Sequence, residues 1–318
     1  MDTAVPSWEK LMSSAREMVL QHNYAQADRY LLAARSRVRE SANRQDLDRL
    51  AVTDSFLGSL RHDQGSYEDA EMFYTQSIGA WEKANGDNHP GLVRLLNDLA
   101  SLYLDSRQFS KAERTCARSL EIQTNTAGVV PPLDIAKSLS LLGGVNGGLG
   151  KYQEAESAYL KAEEIFLKEV GAKSPEMATV WNNLGVLYAH WKLPAKAAVY
   201  LQRSTASVGD NCSPGNALML TNLAAISTGV PADAETAFLR ASECASRAFG
   251  PEHPQTAEVL SRYALFLRQN KRKAEAARIE AQVHEIREKV ARGDRARFTV
   301  DAKDLHAASR NAHQKRSE

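Results

Sequence analysis

Residues Pro175 to Leu201 read PEMATVWNNLGVLYAHWKLPAKAAVYL, and the fold follows from how that run is spaced. Val180, Leu184, Leu187 and Tyr188 recur at helical intervals and form one apolar stripe, which breaks at Lys192-Leu193-Pro194. A second stripe follows through Ala197, Ala198, Tyr200 and Leu201. Gly185 in the first stripe and Ala197 in the second are twelve positions apart. The spacing predicts two helices joined by a tight turn, with small side chains where they cross.

The same interval recurs outward from this stretch in both directions. Ala15 and Ala27, Gly58 and Ala70, Ala100 and Ala112, Gly143 and Ala155, and Ala264 and Ala276 repeat it. Only Ala224 and Ala234 depart, at ten. Successive second members are 43, 42, 43, 42, 37 and 42 residues apart. A period held over nearly the whole chain means stacked hairpins, none of which buries its apolar face alone. The expectation is an all-α, right-handed solenoid of seven hairpins. It forms one extended domain over residues 1–292, with repeats at about 7–46, 47–88, 89–130, 131–173, 174–212, 213–252 and 253–292.

A first helix with Leu, then Gly or Ala, then Tyr, and a second with Ala and an aromatic or Leu four later, resembles the tetratricopeptide repeat. Leu184-Gly185, Tyr188 and Ala197, with Trp181 ahead of them, carry the resemblance best. The ordinary unit is about 34 residues, and the longer unit here is similar to the kinesin light chain type. His89-Pro90 and His253-Pro254 at helix entry, and Asn222-Leu223-Ala224 and Asn182-Asn183-Leu184-Gly185 within first helices, show that likeness. The resemblance spans about residues 8–292. It implies a non-catalytic scaffold that binds a peptide or an extended protein segment on a groove lined by first helices. By position it implies Arg94, Asn97, Asp98, Ser101, Lys137, Ser140, Asn182, Asn183, Val186, Thr221, Asn222, Ser261, Arg262 and Leu265 as groove residues.

Among these the asparagines carry the strongest chemical case. An Asn amide offers two donors and an acceptor, which match the C=O and N–H of an extended peptide. Asn183 and Asn222 share one repeat position, Asp98 stands there in repeat three, and Leu141 in repeat four. The competing reading is that these amides bridge adjacent helices. Two other functions stay open: a structural subunit that assembles through its other face or its ends, and a regulatory protein that closes around a peptide signal.

Composition narrows the rest. There are 40 Lys and Arg against 39 Asp and Glu, a net charge of +1, so no chain-wide basic surface is available for phosphates and nucleic acid is not expected as a partner. Residues 271–318 are locally basic at net +5, read as a solvated end. Cys116, Cys212 and Cys244 are odd in number and widely spaced, which suggests free thiols, with Cys116 and Cys244 as small core residues of second helices. No apolar run reaches the length of a membrane span and the start shows no leader pattern, so a cytoplasmic protein with no membrane association is expected. The histidines show no metal-ligand spacing, and no cofactor is expected.

Gly143-Gly144-Val-Asn-Gly147-Gly148-Leu-Gly150-Lys151 invites a phosphate-loop reading. The spacing fails: Tyr152 follows Lys151 where Ser or Thr is needed, and the run follows a helix. It reads instead as a glycine-rich first helix and its turn, the least rigid repeat. Ser41–Leu47 reads as a loop or helix end, and Ser227–Asp233 as a compressed turn. Glu280 stands where other repeats carry Leu, Tyr, Cys or Phe, the polar face of a terminal cap. The tail 293–318 is expected to be partly disordered, with Phe298–Ala302 folding back.

Overall fold

The computed structural model describes residues 6–21, 23–38, 43–126, 128–209, 212–227 and 231–298. Among them there are fourteen helices and no strands. The first unit, Met1–Ala172, holds α1 (Trp8–Leu20), α2 (Tyr24–Val38), α3 (Arg44–Asp63), α4 (Tyr67–Asn85), α5 (Leu92–Asp105), α6 (Phe109–Asn125), α7 (Pro132–Gly148) and α8 (Tyr152–Glu169). The second unit, Lys173–Glu318, holds α9 (Pro175–His190), α10 (Pro194–Val208), α11 (Pro214–Ile226), α12 (Pro231–Phe249), α13 (Pro254–Gln269) and α14 (Lys273–Phe298). In each unit odd and even helices pair as hairpins, and the hairpins stack.

The small-residue register holds throughout. Ala27, Ala70, Ala112, Ala155, Ala197, Ala234 and Ala276 are all completely buried. The packing they permit differs in one detail from a meeting of two small residues. The space above Gly185 is filled by Leu201, four residues after Ala197, and a Cβ on Gly185 would collide with Leu201 Cγ. At Gly143 the ring of Tyr159, four after Ala155, lies 2.8 Å from that position. The second-helix alanine brings the backbones close, and the large side chain one turn later then lies flat on the first helix.

The glycine cluster is helical, since α7 runs through Gly148 and only the turn after it breaks the pattern. Its glycines make a face that receives three bulky side chains. Gly143 takes Tyr159, Gly144 takes Leu104, and Gly148 takes Phe109. Dispersion contacts with those side chains offset the low helix propensity of glycine.

Three boundaries are set by the structure. α3 begins at Arg44, so the later part of the stretch expected as a loop or a helix end is a helix start, because Asn43 caps it by accepting the Asp46 N–H at 2.9 Å. Pro90 lies in the turn before α5, which starts at Leu92, whereas Pro254 is the first residue of α13. α14 continues to Phe298, past the expected end at 292. Residues 228–230 of the shortened turn and residues 299–318 of the tail lie outside the described residues.

The entry histidines act alike. His89 Nδ1 accepts the Gly91 N–H and His253 Nδ1 accepts the Gln255 N–H, both at 3.1 Å. Each ring packs on an aromatic from the preceding second helix, His89 on Trp81 and His253 on Phe249. Burial pushes the His253 pKa down, which keeps the neutral ring that this acceptor role requires. At the last hairpin, Glu280 pairs with both nitrogens of the Arg268 fork, so the apolar slot of earlier repeats is here a half-exposed ion pair.

Candidate peptide-binding surface

First helices neighbour one another within each unit, α5 beside α7 and α11 beside both α9 and α13. The implied groove residues therefore fall into two sets.

In the first unit, α5 presents Arg94 and Asp98 one turn apart, with Ser101 half-buried beyond them. α7 presents exposed Lys137 and half-buried Ser140. Asp98 is the centre of this set. Burial pushes its carboxyl up to about 6, and the pull of Arg94, Lys137 and His62 only partly counters it, while Asp134 adds to the rise. Asp134 and His62 were not among the sequence candidates. Their signal is positional, since Asp134 lies one turn before Ser138 on α7 and His62 lies in the last turn of α3.

Asn97 is placed differently from its neighbours. It is only 5% exposed, donates to the Asp134 carbonyl at 3.1 Å, and its Oδ1 accepts from Ser138 at 2.8 Å and from Ser119 at 3.3 Å. It stitches α5 to α6 and α7, the bridging role weighed above for such amides.

In the second unit, three amides form a chain across two helices. Asn222 on α11 donates to Asn182 Oδ1 on α9 at 2.9 Å, and Asn182 donates to Asn183 Oδ1 at 3.3 Å. Asn182 is 7% exposed, whereas Asn183 and Asn222 are half-buried and reach the surface. These two bonds leave the Asn183 amide nitrogen and the Asn222 carbonyl oxygen uncommitted. Thr221 is 1% exposed and donates back to the Ala217 carbonyl at 2.7 Å, so its hydroxyl is turned into the helix.

On α13, Ser261 donates to the Ala257 carbonyl and accepts from Arg287, and Arg262 pairs with Glu258 at 3.1 Å. Val186 is half-buried on α9, and Leu265 is exposed. Arg262 also lines a cavity of about 330 Å³ together with Leu218, Phe249, Gln255, Glu258 and Val259. Leu218 lies one turn before Asn222 on the same face of α11 and is 52% exposed. That i, i+4 relation to Asn222 is the sequence signal by which Leu218 can be found.

This is a helical-repeat protein whose first helices offer charged, amide and apolar groups, and among the described residues no cluster of three or more His, Cys, Asp or Glu side chains is placed to hold a metal ion. The chain belongs to the tetratricopeptide repeat family, whose pattern matches residues 49–125, 134–208 and 216–289. Repeats of this family are generally non-catalytic scaffolds for protein–protein interaction.

The repeats are similar to those of kinesin light chain-related proteins. Kinesin light chain-related protein 3 of Arabidopsis thaliana is 25% identical over 230 residues, covering 70% of this chain and 35% of the relative. The chain thus spans about a third of that relative's length. BtubC (BKLC) from P. vanneervenii superposes with a TM-score of 0.50 at 23% identity, over 76% of this chain and 90% of that one. A Rap protein complexed with Competence and Sporulation Factor gives 0.63 at 14% identity, over 90% and 86%. Among the described residues no helix is long and apolar enough to cross a membrane.

Proposed function

We propose that the chain is an interaction scaffold that binds an extended peptide or protein segment across the first helices of its second unit. The observation that supports this reading is the amide chain Asn183–Asn182–Asn222. It holds two surface amides on neighbouring hairpins in a fixed orientation, each with hydrogen-bonding capacity to spare. A peptide in extended form alternates C=O and N–H along each edge, which such amides match whatever the side chains. The cavity beside Leu218 and Arg262 would take one apolar side chain of the ligand, with Glu258 and Arg262 at its polar rim. The Rap protein of similar fold was solved with its Competence and Sporulation Factor, which agrees with a ligand-binding use of this architecture.

Fluorescence anisotropy with pools of labelled peptides tests the proposal. Asn183→Ala combined with Asn222→Ala should weaken binding about tenfold or more, the scale of one to two hydrogen bonds. Unchanged affinity in a variant that still melts cooperatively would remove the amides from the mechanism. Size that grows with concentration in light scattering, and is indifferent to these substitutions, would favour an assembly subunit instead.

A further inference from the structure

The three cysteines, far apart in sequence, are not equivalent in space. Cys116 is buried on α6 in the core of the first unit. Cys212 and Cys244 come together in the second unit, Cys212 half-buried just before α11 and Cys244 buried on α12. Both pack with Ala217, Leu220 and Ala241, and both line one open cavity of about 190 Å³ with Arg240, Glu243 and Arg247. Both thiols thus share one apolar cluster and open onto the same cavity, the placement a disulfide between them requires.

We propose that Cys212 and Cys244 form a redox site that closes to an intramolecular disulfide when a small-molecule disulfide such as oxidised glutathione enters the cavity. Cys212, the more exposed sulfur, reacts first. Its thiolate attacks one sulfur of glutathione disulfide, breaking that S–S bond and releasing a glutathione thiolate that takes up a proton. The Cys244 thiolate then attacks the Cys212 sulfur of the mixed disulfide and expels the second glutathione. The pair loses two electrons, the oxidant gains them, and the two thiol protons leave with the two glutathione thiols.

The environment sets the rate. Burial, together with the neighbouring Cys212 sulfur, pushes the Cys244 thiol up to about 12, against the pull of the Ser213 N–H and Arg247. The Cys212 contribution to that rise disappears once Cys212 is in the mixed disulfide, which makes the second step easier than the free-thiol state suggests. Arg247 is itself partly offset by Glu243 at 3.9 Å. Closure is therefore slow at neutral pH and accelerates as pH rises. The bond ties the entry of α11 to α12, across the hairpin that carries Asn222, and the inference stands whether or not that hairpin binds peptide.

The experiment uses the full chain, incubated with oxidised glutathione, alkylated without reduction and mapped by mass spectrometry. The expected result is a Cys212–Cys244 cross-linked peptide lighter by two hydrogens, with Cys116 unmodified until the chain is unfolded. Cys244→Ser should instead retain glutathione on Cys212, and Cys212→Ser should leave Cys244 reduced. Wild-type chain that stops at a Cys212 glutathione adduct, cross-links between molecules, or keeps both thiols free would overturn the proposal. The wild-type map alone decides the matter if Cys244→Ser does not fold.

Discussion

One repeat position is filled by Asp98 on α5 of the first unit and by Asn183 and Asn222 on α9 and α11 of the second, and the exchange of a hydroxyl or O⁻ for an amide changes what the face can do. Around Asp98 the first helices gather charges, Arg94 and Lys137 against Asp98 and Asp134, with His62 beside them. Around Asn183 and Asn222 they gather neutral amides and a cavity edged by Leu218. A second charge of the first unit lies deeper and on one helix. Four residues before the small residue of the first helix stand Leu11, Leu96, Leu139, Trp181, Leu220 and Leu260, whereas α3 alone carries a charged residue, Asp54. Asp54 is fully buried and paired with Arg35, which also reaches Gln76 at 2.6 Å. Burial still pushes the Asp54 carboxyl up despite that partner. The backbone plan is shared, and the charges at Asp54 and Asp98 set α3 and α5 apart from α9 and α11.

Breaking the buried pair should have the largest effect. Arg35→Ala leaves Asp54 buried and unpaired, and should cost about 3–5 kcal/mol in denaturant unfolding. Adding Asp54→Leu, which gives α3 the residue type of α11 and α13, should recover most of that loss. A double variant no more stable than the single one would show that the slot is not interchangeable between hairpins.

Next comes the hairpin crossing that both units share. Gly185→Leu sets a side chain where Leu201 already lies and should cost about 1–3 kcal/mol or more, with Leu201→Ala restoring part of it. Gly143→Leu should behave alike against Tyr159. Melting temperatures unchanged in both would contradict the register.

Converting the first unit's face to the second's is a smaller step with a pH signature. The folded-state pKa of Asp98 lies above its ordinary value of 3.8, at about 6, so the folded chain binds the extra proton between those values. Stability therefore falls as pH rises from about 4 to 6, and the penalty is complete above that. Asp98→Asn should stabilise the chain by about 1–2 kcal/mol at pH 7, solvent screening at the part-buried carboxyl having reduced the full shift, and by almost nothing at pH 3.5. A gain that is independent of pH would point to packing rather than charge. Smallest is the loss of one amide bridge: Asn222→Ala removes the bond to Asn182 and should cost about 1 kcal/mol by thermal unfolding.

The hairpins, their crossings and the helix entries were legible in the sequence because they are periodic. Each small residue, Pro or His-Pro recurs where the backbone plan demands it, and Ala27 through Ala276 were placed by counting alone. What the sequence withheld were pairings that cross repeats without a period. Nothing in the spacing joins Arg35 to Asp54, Asn97 to Ser119 and Ser138, or Cys212 to Cys244, because those contacts depend on how the side chains of adjacent hairpins interleave. Asn97, Asn182 and Thr221 illustrate the same limit. Position placed them on first helices, but a shift of one residue along a helix turns a side chain by about 100°, enough to move it from the surface into the interior.

The direct test of the binding account is hydrogen–deuterium exchange, read by mass spectrometry, on the full chain with and without the tightest peptide from the pool. The account predicts added protection on α9, α11 and α13, around Asn183, Asn222 and Leu218. Protection confined to α10 and α12, with those first helices unchanged, would contradict it.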